Sequence, residues 1–252
     1  MNGAAELRIR PVVGLPEIAA GDPLGDLIAA RAGDLVDGDV VVISQKVVSK
    51  AEGRTRRLSS VIPGAEAGKL ARILGKEPNL VQLILEESAE VVRAERGVLI
   101  VETVHGLVCA NAGIDSSNVG DDDTVLLLPE DPDASARRLR GGIGAVAGAR
   151  IGVVIADSFG RAWRIGQAEV AIGCAGLMPI DDWRGRQDAN GRELMATQIA
   201  IADEAAAAAD LVRDKAAAVP AVVLGGLDRW VTAEDGPGAA EIRRAREDDL
   251  FR

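Results

Sequence analysis

Short apolar runs separated by polar turns dominate the chain, and their spacing predicts alternating strands and helices. Glu6–Val13 alternates apolar and polar positions, as a half-buried strand does, and Gly14-Leu15-Pro16-Glu17-Ile18 breaks it. Asp22 before Pro23 reads as a helix N-cap with proline in the first helical position, carried on by Leu24, Leu27, Ile28 and Arg31. Asp37-Gly38 is a turn. Asp39–Ser44 (DVVVIS) is a continuous β-branched run suited to a strand buried on both faces, and it delivers Gln45, Lys46, Ser49, Lys50, Glu52 and Arg54 at its carboxyl end.

Apolar positions at helical spacing predict helices over Glu66–Leu74 and Asn79–Val92, the second carried by Val81, Ile84, Leu85 and Val92. Val98–Thr103, Leu107–Ala110 and Thr124–Leu128 read as strands. Asp131-Pro132 opens a helix through Ala136, Leu139 and Ile143, and Arg150–Ala156 is a strand that ends at Asp157. An Ala-rich helix is expected over Leu194–Ala218, broken before Pro220. Ala221–Leu224 returns to strand, and the Gly236–Gly238 region leads into a charged terminal helix. Strands and helices alternate without a repeat period. The predicted fold class is therefore α+β with α/β-like layers: a mixed β-sheet with flanking helices. Gly64 and Gly141–Gly148 are weak as boundaries, so residues 1–252 read as one domain, with the stretch around 95–150 as the candidate second lobe.

Composition narrows the function. At 252 residues and 48% hydrophobic content the chain can bury a sizeable core, but only 2% is aromatic and Tyr is absent. Val, Ile, Leu and Ala must fill that core, and a stacking platform for nucleic-acid bases is largely excluded. A net charge of −10 argues against a nucleic-acid surface, which needs a basic stripe. It leaves room for a single nucleotide met by a local cluster or a metal ion. Cys109 and Cys174 lie in apolar or small-residue surroundings without metal-ligand spacing, so they read as buried thiols rather than zinc ligands or a disulfide. The N-terminus has no apolar signal region and no run approaches about 18 apolar residues, which predicts a cytoplasmic protein that does not enter a membrane.

Three familiar motifs fail. Gly68-Lys69 precedes Leu70 and Gly75-Lys76 precedes Glu77, so no Walker A loop is present. Gly142-Ile143-Gly144 sits inside a helical pattern rather than after a strand, which makes it packing and not a dinucleotide fingerprint. Asp157-Ser158-Phe159-Gly160 looks like a relaxed nucleophile elbow, but that elbow needs a later histidine, and the only one, His105, comes earlier. His105 reads as a turn or core residue.

What survives is a set of acids and bases placed after predicted strands. Val108–Val119 (VCANAGIDSSNV) packs Asn111, Asp115, Ser116, Ser117 and Asn118 around small residues that permit close approach of a ligand. Asp157 with Ser158 offers a second hard-oxygen pair, Lys46, Lys50 and Arg54 follow Asp39–Ser44, and Arg161 and Arg164 flank the second acidic stretch. Two carboxylates holding one or two magnesium or manganese ions, with basic side chains over phosphate oxygens, make a phosphoryl-transfer set. The plainer alternative is that the acids are Asx turns or N-caps and the basic residues a solvated face.

GLPEI, SQKVVSKAEGR at Ser44–Arg54, ANAGIDSSN at Ala110–Asn118, LLPEDPDASA at Leu127–Ala136, DSFGRAWRIGQ at Asp157–Gln167 and ADEAAAAADLV at Ala202–Val212 resemble the coenzyme F(420)-0:L-glutamate ligase family, in collinear order over nearly the whole chain. The resemblance implies a cytoplasmic homodimeric enzyme that uses GTP to attach L-glutamate, through its amine, to the carboxyl end of a deazaflavin coenzyme precursor. It implies that Asp115 and Asp157 bind metal, with Ser158 at a second-metal position where the family commonly has threonine. Gly14, Leu15, Pro16 and Glu17 resemble a GTP-contacting loop; Gln45, Lys46, Lys50 and Asn118 resemble further GTP contacts. Mg2+ or Mn2+, as two ions, and K+ are the cofactors it suggests. After the long helix the chain departs from the family's Gly- and acid-rich loop, reading Arg213-Asp214-Lys215-Ala216-Ala217-Ala218. There Asp214 could supply the missing carboxylate, or Lys215 could replace a metal charge. The chain resembles the actinobacterial form, in which a flavin-binding, nitroreductase-like domain follows.

Amide formation from a carboxylate needs activation, and an acyl phosphate made with GTP supplies it. Lys50 and Arg161 are the expected stabilisers of charge on the transferred group, and Arg164 or Arg192 could receive the carboxylates of glutamate. Asp182–Arg192 reads equally as a solvated loop. Two further hypotheses stand beside the ligase: a nucleotide- or deazaflavin-binding module without turnover, and a plain assembly domain.

Overall fold

The structure, a computed structural model, describes residues 6–116, 123–213 and 218–250. Its strands are β1 (Arg8–Val12), β2 (Val40–Ser44), β3 (Thr55–Arg57), β4 (Ser88–Glu95), β5 (Val98–Thr103), β6 (Val108–Ala110), β7 (Thr124–Leu126), β8 (Gly152–Arg161), β9 (Arg164–Ala175), β10 (Asp181–Asp182), β11 (Gln198–Ile199) and β12 (Ala221–Gly225). The helices are α1 (Leu24–Ala29), α2 (Gln45–Ala51), α3 (Ala65–Leu74), α4 (Pro78–Glu86), α5 (Pro132–Ala147) and α6 (Ile201–Asp210). The fold is α+β, as expected.

A five-stranded mixed sheet in the order β1-β12-β2-β8-β9 organises the molecule, with β2 and β8 parallel and the other neighbours antiparallel. Period-two alternation assigns its faces. Val41, Ile43, Val153 and Ile155 pack with Leu24 and Ile28 of α1 and with Ala136, Leu139 and Ile143 of α5. Val40, Val42, Val154 and Ala156 pack on the other face against Ile201, Ala202, Ala205, Ala206 and Ala209 of α6. Both faces of β2 are covered, which is why DVVVIS carries no polar residue until its ends. A three-stranded antiparallel sheet, β4-β5-β6, holds a smaller core with α3 and α4.

Asp131 caps α5 by accepting from the Ala134 amide at 2.9 Å. The helix start is then fixed on β9, where a Cβ at Gly173 would lie 2.3 Å from the Pro132 carbonyl oxygen. Gly173 pairs with Ile155 at a register shift, so this close approach coincides with a bulge just before Asp157.

Several expectations change. Asn79–Val92 is not one helix: α4 stops at Glu86, the Ser88 hydroxyl bonds back to the Ile84 carbonyl, and Val91 pairs with Val101 in β4. The β-branched pair Val91-Val92 satisfies a strand as well as a helix. Leu194–Ala218 is also shorter, because Gln198–Ile199 pairs with Asp181–Asp182 and α6 ends once its buried Ala face runs out at Ala209. Asp22 does not cap α1; its carboxylate accepts from the Ala19 amide at 2.8 Å and Pro23 takes the cap position. The strand expected to end at Ala156 runs through Asp157 to Arg161 and turns into β9, while α2 begins directly at Gln45. The charged terminus forms short 3-10 turns, Ala239–Ile242 and Arg246–Asp248.

Candidate active site

The sheet register brings distant segments to one edge. Val12 pairs with Ala221, Ala221 with Ile43, and Ser44 with Ala156. The loop after β1, helix α2 after β2, the Asp157 stretch of β8 and the chain entering β12 therefore meet where β2 ends, the ligand-binding end of a parallel pair. Strand β6 contacts β8 and sets residues 108–115 against the same edge.

Within this edge Lys46 Nζ stands 2.6 Å from Asp115 Oδ2. Lys50 pairs with Glu17, and Arg31 Nε donates to the Gly14 carbonyl at 2.6 Å, so the Gly14–Glu17 loop is tied to α2 and to the turn just after α1. Gln45 is fully buried: Ser49 Oγ donates to its Oε1 at 2.9 Å, while its Nε2 donor has no partner. Buried donors are seldom left so, and this one suits an incoming oxyanion.

Upstream of Asp115 the backbone is strained. Asn111, Ala112 and Gly113 take φ of 54, 55 and 67° in succession, a left-handed turn that L residues avoid. Gly113 is required there twice over, since a Cβ would also come within 2.9 Å of the Leu128 side chain. The turn buries Asn111 Oδ1 without a donor, an acceptor suited to a cation or its water.

Asp157 is only partly exposed, and its carboxyl is pushed up to about 7. Burial is the main cause; the negative charges of Glu169 and Asp115 add to it, while the Ser158 amide and Lys46 oppose it. Carboxyls raised in this way concentrate at functional sites. Cys109, buried beside this aspartate, is held up to about 12 by burial first and by Asp157 second, so it stays a thiol.

Ser158 points to the opposite sheet face from Asp157. Its Oγ donates to Glu169 Oε1 at 2.5 Å, Arg213 Nη1 donates to Glu169 Oε2 at 3.0 Å, and Arg213 Nη2 donates to the Val42 carbonyl at 3.2 Å. Sequence reasoning missed Glu169 and gave Arg213 no role. Glu169 is Ser158's cross-strand partner, visible only once the β8–β9 register is known.

Other expected residues lie apart. Arg161 sits at the far end of β8, exposed, donating to the Ile165 carbonyl at 3.2 Å. Four residues along a strand put it about 13 Å from Asp157. Arg164 and Arg192 are exposed, and Asp188 accepts from the Asn190 and Arg192 amides in a self-contained turn. His105 lies in the turn between β5 and β6. Ser117, Asn118, Asp214 and Lys215 fall outside the described residues.

Asp115, Asp157 and the unpartnered Asn111 amide oxygen are hard oxygen donors of the kind a hard cation takes, while the Ser158 hydroxyl, the residue expected at a second-metal position, is turned away to Glu169. Among the described residues no group of three or more His, Cys, Asp or Glu is placed to hold a metal alone. Magnesium is commonly held by one or two carboxylates plus substrate phosphates, so Asp115 and Asp157 fit an ion that arrives with a nucleotide.

The family model described as F420-0:Gamma-glutamyl ligase matches residues 13–226. The chain is 44% identical over 246 residues to the coenzyme F420:L-glutamate ligase of Methanothermobacter thermautotrophicus, covering 96% of this chain and 97% of that protein. It is 44% identical over 247 residues to that of Archaeoglobus fulgidus, covering 98% and 96%. With that of Methanopyrus kandleri it shares 42% over 254 residues, covering 100% of both. A family match across most of the chain and likeness over nearly its full length to these ligases decide the question: the chain belongs to the F420-0:gamma-glutamyl ligase family.

Proposed function

We propose that this protein joins L-glutamate, through its amine, to the carboxyl group of the deazaflavin coenzyme F420 precursor, with GTP as the activating co-substrate. The observation that carries this reading is the convergence of Asp115, Asp157, Lys46 and the unpartnered Gln45 amide at one sheet edge, in a chain of this ligase family.

In this mechanism the precursor carboxylate attacks the γ-phosphorus of GTP, the bond to the leaving GDP oxygen breaks, and an acyl phosphate forms. The glutamate amine then attacks the acyl carbon and phosphate departs. A magnesium or manganese ion supplies charge neutralisation across the phosphates when bound. Asp115 and Asp157 are the residues that would hold it, and Asp157 gives up its proton to do so. Lys46, partly exposed on a flexible stem, exchanges Asp115 for a phosphate oxygen. Gln45 Nε2 donates to the same anion, and Lys50, drawn from Glu17, adds a second compact charge. Arg161 serves the transferred group only if the exposed β8–β9 hairpin folds inward. A cytoplasmic homodimer belongs to the same proposal. Among the described residues no helix is long and apolar enough to cross a membrane.

Mass spectrometry after incubation with precursor, GTP, glutamate and magnesium tests the proposal. The expected product is the glutamyl-extended precursor with matching GDP and phosphate, absent for Asp157→Asn. Binding of GTP and precursor without release of GDP would favour the alternative, a binding module, which the altered segment after Val212 keeps in view.

A further inference from the structure

Asp115 and Asp157 belong to different cores. Asp157 stands on β8 of the five-stranded sheet. Asp115 follows Ala112 and Ile114, which pack with Leu99 and Val101 of β5 and with α3 and α4 in the smaller core. An ion shared by two carboxylates needs both within about 2.0–2.6 Å, so a displacement of about 1 Å between the two cores would leave one of them out of reach. Whatever fixes the smaller core against the large sheet therefore fixes the site.

The segment after β12 makes that connection, and it is first fastened to the large sheet. Asp235 pairs with Arg140 of α5 at 2.6 Å, and its carbonyl accepts from the Gly176 amide at 2.8 Å. The buried Asp133 carboxylate accepts from the Cys174 amide of β9 at 2.8 Å and from the Ala239 amide at 2.7 Å. Gly238 passes so close that a Cβ would lie 2.5 Å from Asp133 Cγ. The chain then crosses to the smaller core. Arg243 Nη2 stands 3.6 Å from Asp133 Oδ2, while Nη1 donates to the His105 carbonyl in the turn between β5 and β6. Three residues on, Arg246 pairs with Glu90 of β4 at 2.6 Å and lies 3.6 Å from Glu102 of β5. Arg54 also crosses between the cores, to Glu87 at 3.1 Å, but its own chain runs on into β3. Arg243 meets His105 only through the fold, 138 residues away, and spans both sides with one planar fork. Its Nε is buried without a partner, so the guanidinium is held there at a cost in desolvation.

Resting on the reading of Asp115 and Asp157 as cation ligands, we infer that Arg243 is a positioning residue: by tying the β5–β6 turn to Asp133 it sets the spacing of the two aspartates, and so how firmly an ion binds between them. Its partners Asp133 and His105 are not site residues, so its effect on the ion passes through Asp115. Strand β6 and the left-handed turn at Asn111–Gly113 form the short packed piece that joins His105 to Asp115.

Mn2+ binding to the full chain in the presence of GTP, read from loss of the free-ion electron paramagnetic resonance signal, tests this as a double-mutant cycle with Asp115→Asn. Arg243→Gln should weaken Mn2+ binding by about fivefold or more, the lower end of coupling between linked sites. In the Asp115→Asn background the same substitution should change nothing, since with one carboxylate gone there is no spacing left to set. Arg243→Lys, which keeps the charge beside Asp133 without the fork, should fall between wild type and Arg243→Gln. A folded Arg243→Gln protein with wild-type affinity would overturn the inference. So would an equal loss in both backgrounds, the mark of general loosening. If Arg243→Gln does not fold, Arg243→Lys is compared across the same two backgrounds and decides by the same outcomes. The underlying reading fails separately: wild type that takes up no Mn2+ with GTP, or Asp115→Asn that binds it as firmly as wild type, would show that Asp115 holds no ion, and the role of Arg243 would fall with it.

Discussion

Asp157 links the fold to the chemistry through one proton. Burial and the neighbouring Glu169 and Asp115 charges raise its carboxyl to about 7, against 3.8 for the ordinary side chain. Between those values the folded chain binds more protons than the unfolded one, so stability falls as pH rises from about 4 to 7, at up to about 1.4 kcal/mol per pH unit from this residue. Thermal melts of the metal-free protein across pH 5–8 should show that slope, Asp157→Asn should flatten it, and magnesium with GTP should also flatten it. Lys46 opposes the shift, so Lys46→Met should move the transition to higher pH. A profile identical in wild type and Asp157→Asn would show that this proton is not the one that counts. Gln45 and Asn111 carry the same logic in neutral form, as a donor and an acceptor buried without partners.

At the scale of elements, the β2–β8 pair holds the site edge in place, and Ile155 is its fully buried anchor two residues before Asp157. Ile155→Ala should cost about 2–5 kcal/mol in unfolding free energy by denaturant titration, because the α1–α5 layer cannot collapse onto the gap. A cost below about 1 kcal/mol would mean that layer repacks freely. Elements of this kind were legible in the sequence wherever one period fits alone. The run at Asp39–Ser44 admits only a covered strand, and Asp131-Pro132 opens α5 as expected. Val91-Val92 fits two periods and Leu194–Ala200 has helical composition, so the local pattern favours helix at both and strand pairing overrides it. The site divides in the same way. Asp115, Asp157, Lys46 and Gln45 follow apolar runs and could be picked out from the chain. Glu169 and Arg213 could not, because their meeting depends on hairpin register and on where α6 ends.

For the whole molecule, the site is assembled from segments around residues 14–17, 45–50, 111–115, 157–169 and 213, so no partly unfolded form retains it. Ligand binding and global unfolding are therefore coupled. On the proposed reading, GTP with magnesium at about a hundred times its dissociation constant should stabilise the folded state by about 2.7 kcal/mol. For a chain of this length that raises the melting temperature by roughly 5–10 °C, and a shift below about 1 °C at saturation would contradict the placement of the site. In the proposed mechanism Asp115 and Asp157 share one cation that presents the terminal phosphate of a nucleotide. Anomalous scattering from crystals grown with Mn2+ and GTP measures this directly. The expected result is an ion bonded to oxygens of both aspartates and of the γ-phosphate, each at about 2.0–2.6 Å. An ion bound to the phosphates alone, with both carboxylates beyond that reach, would contradict it.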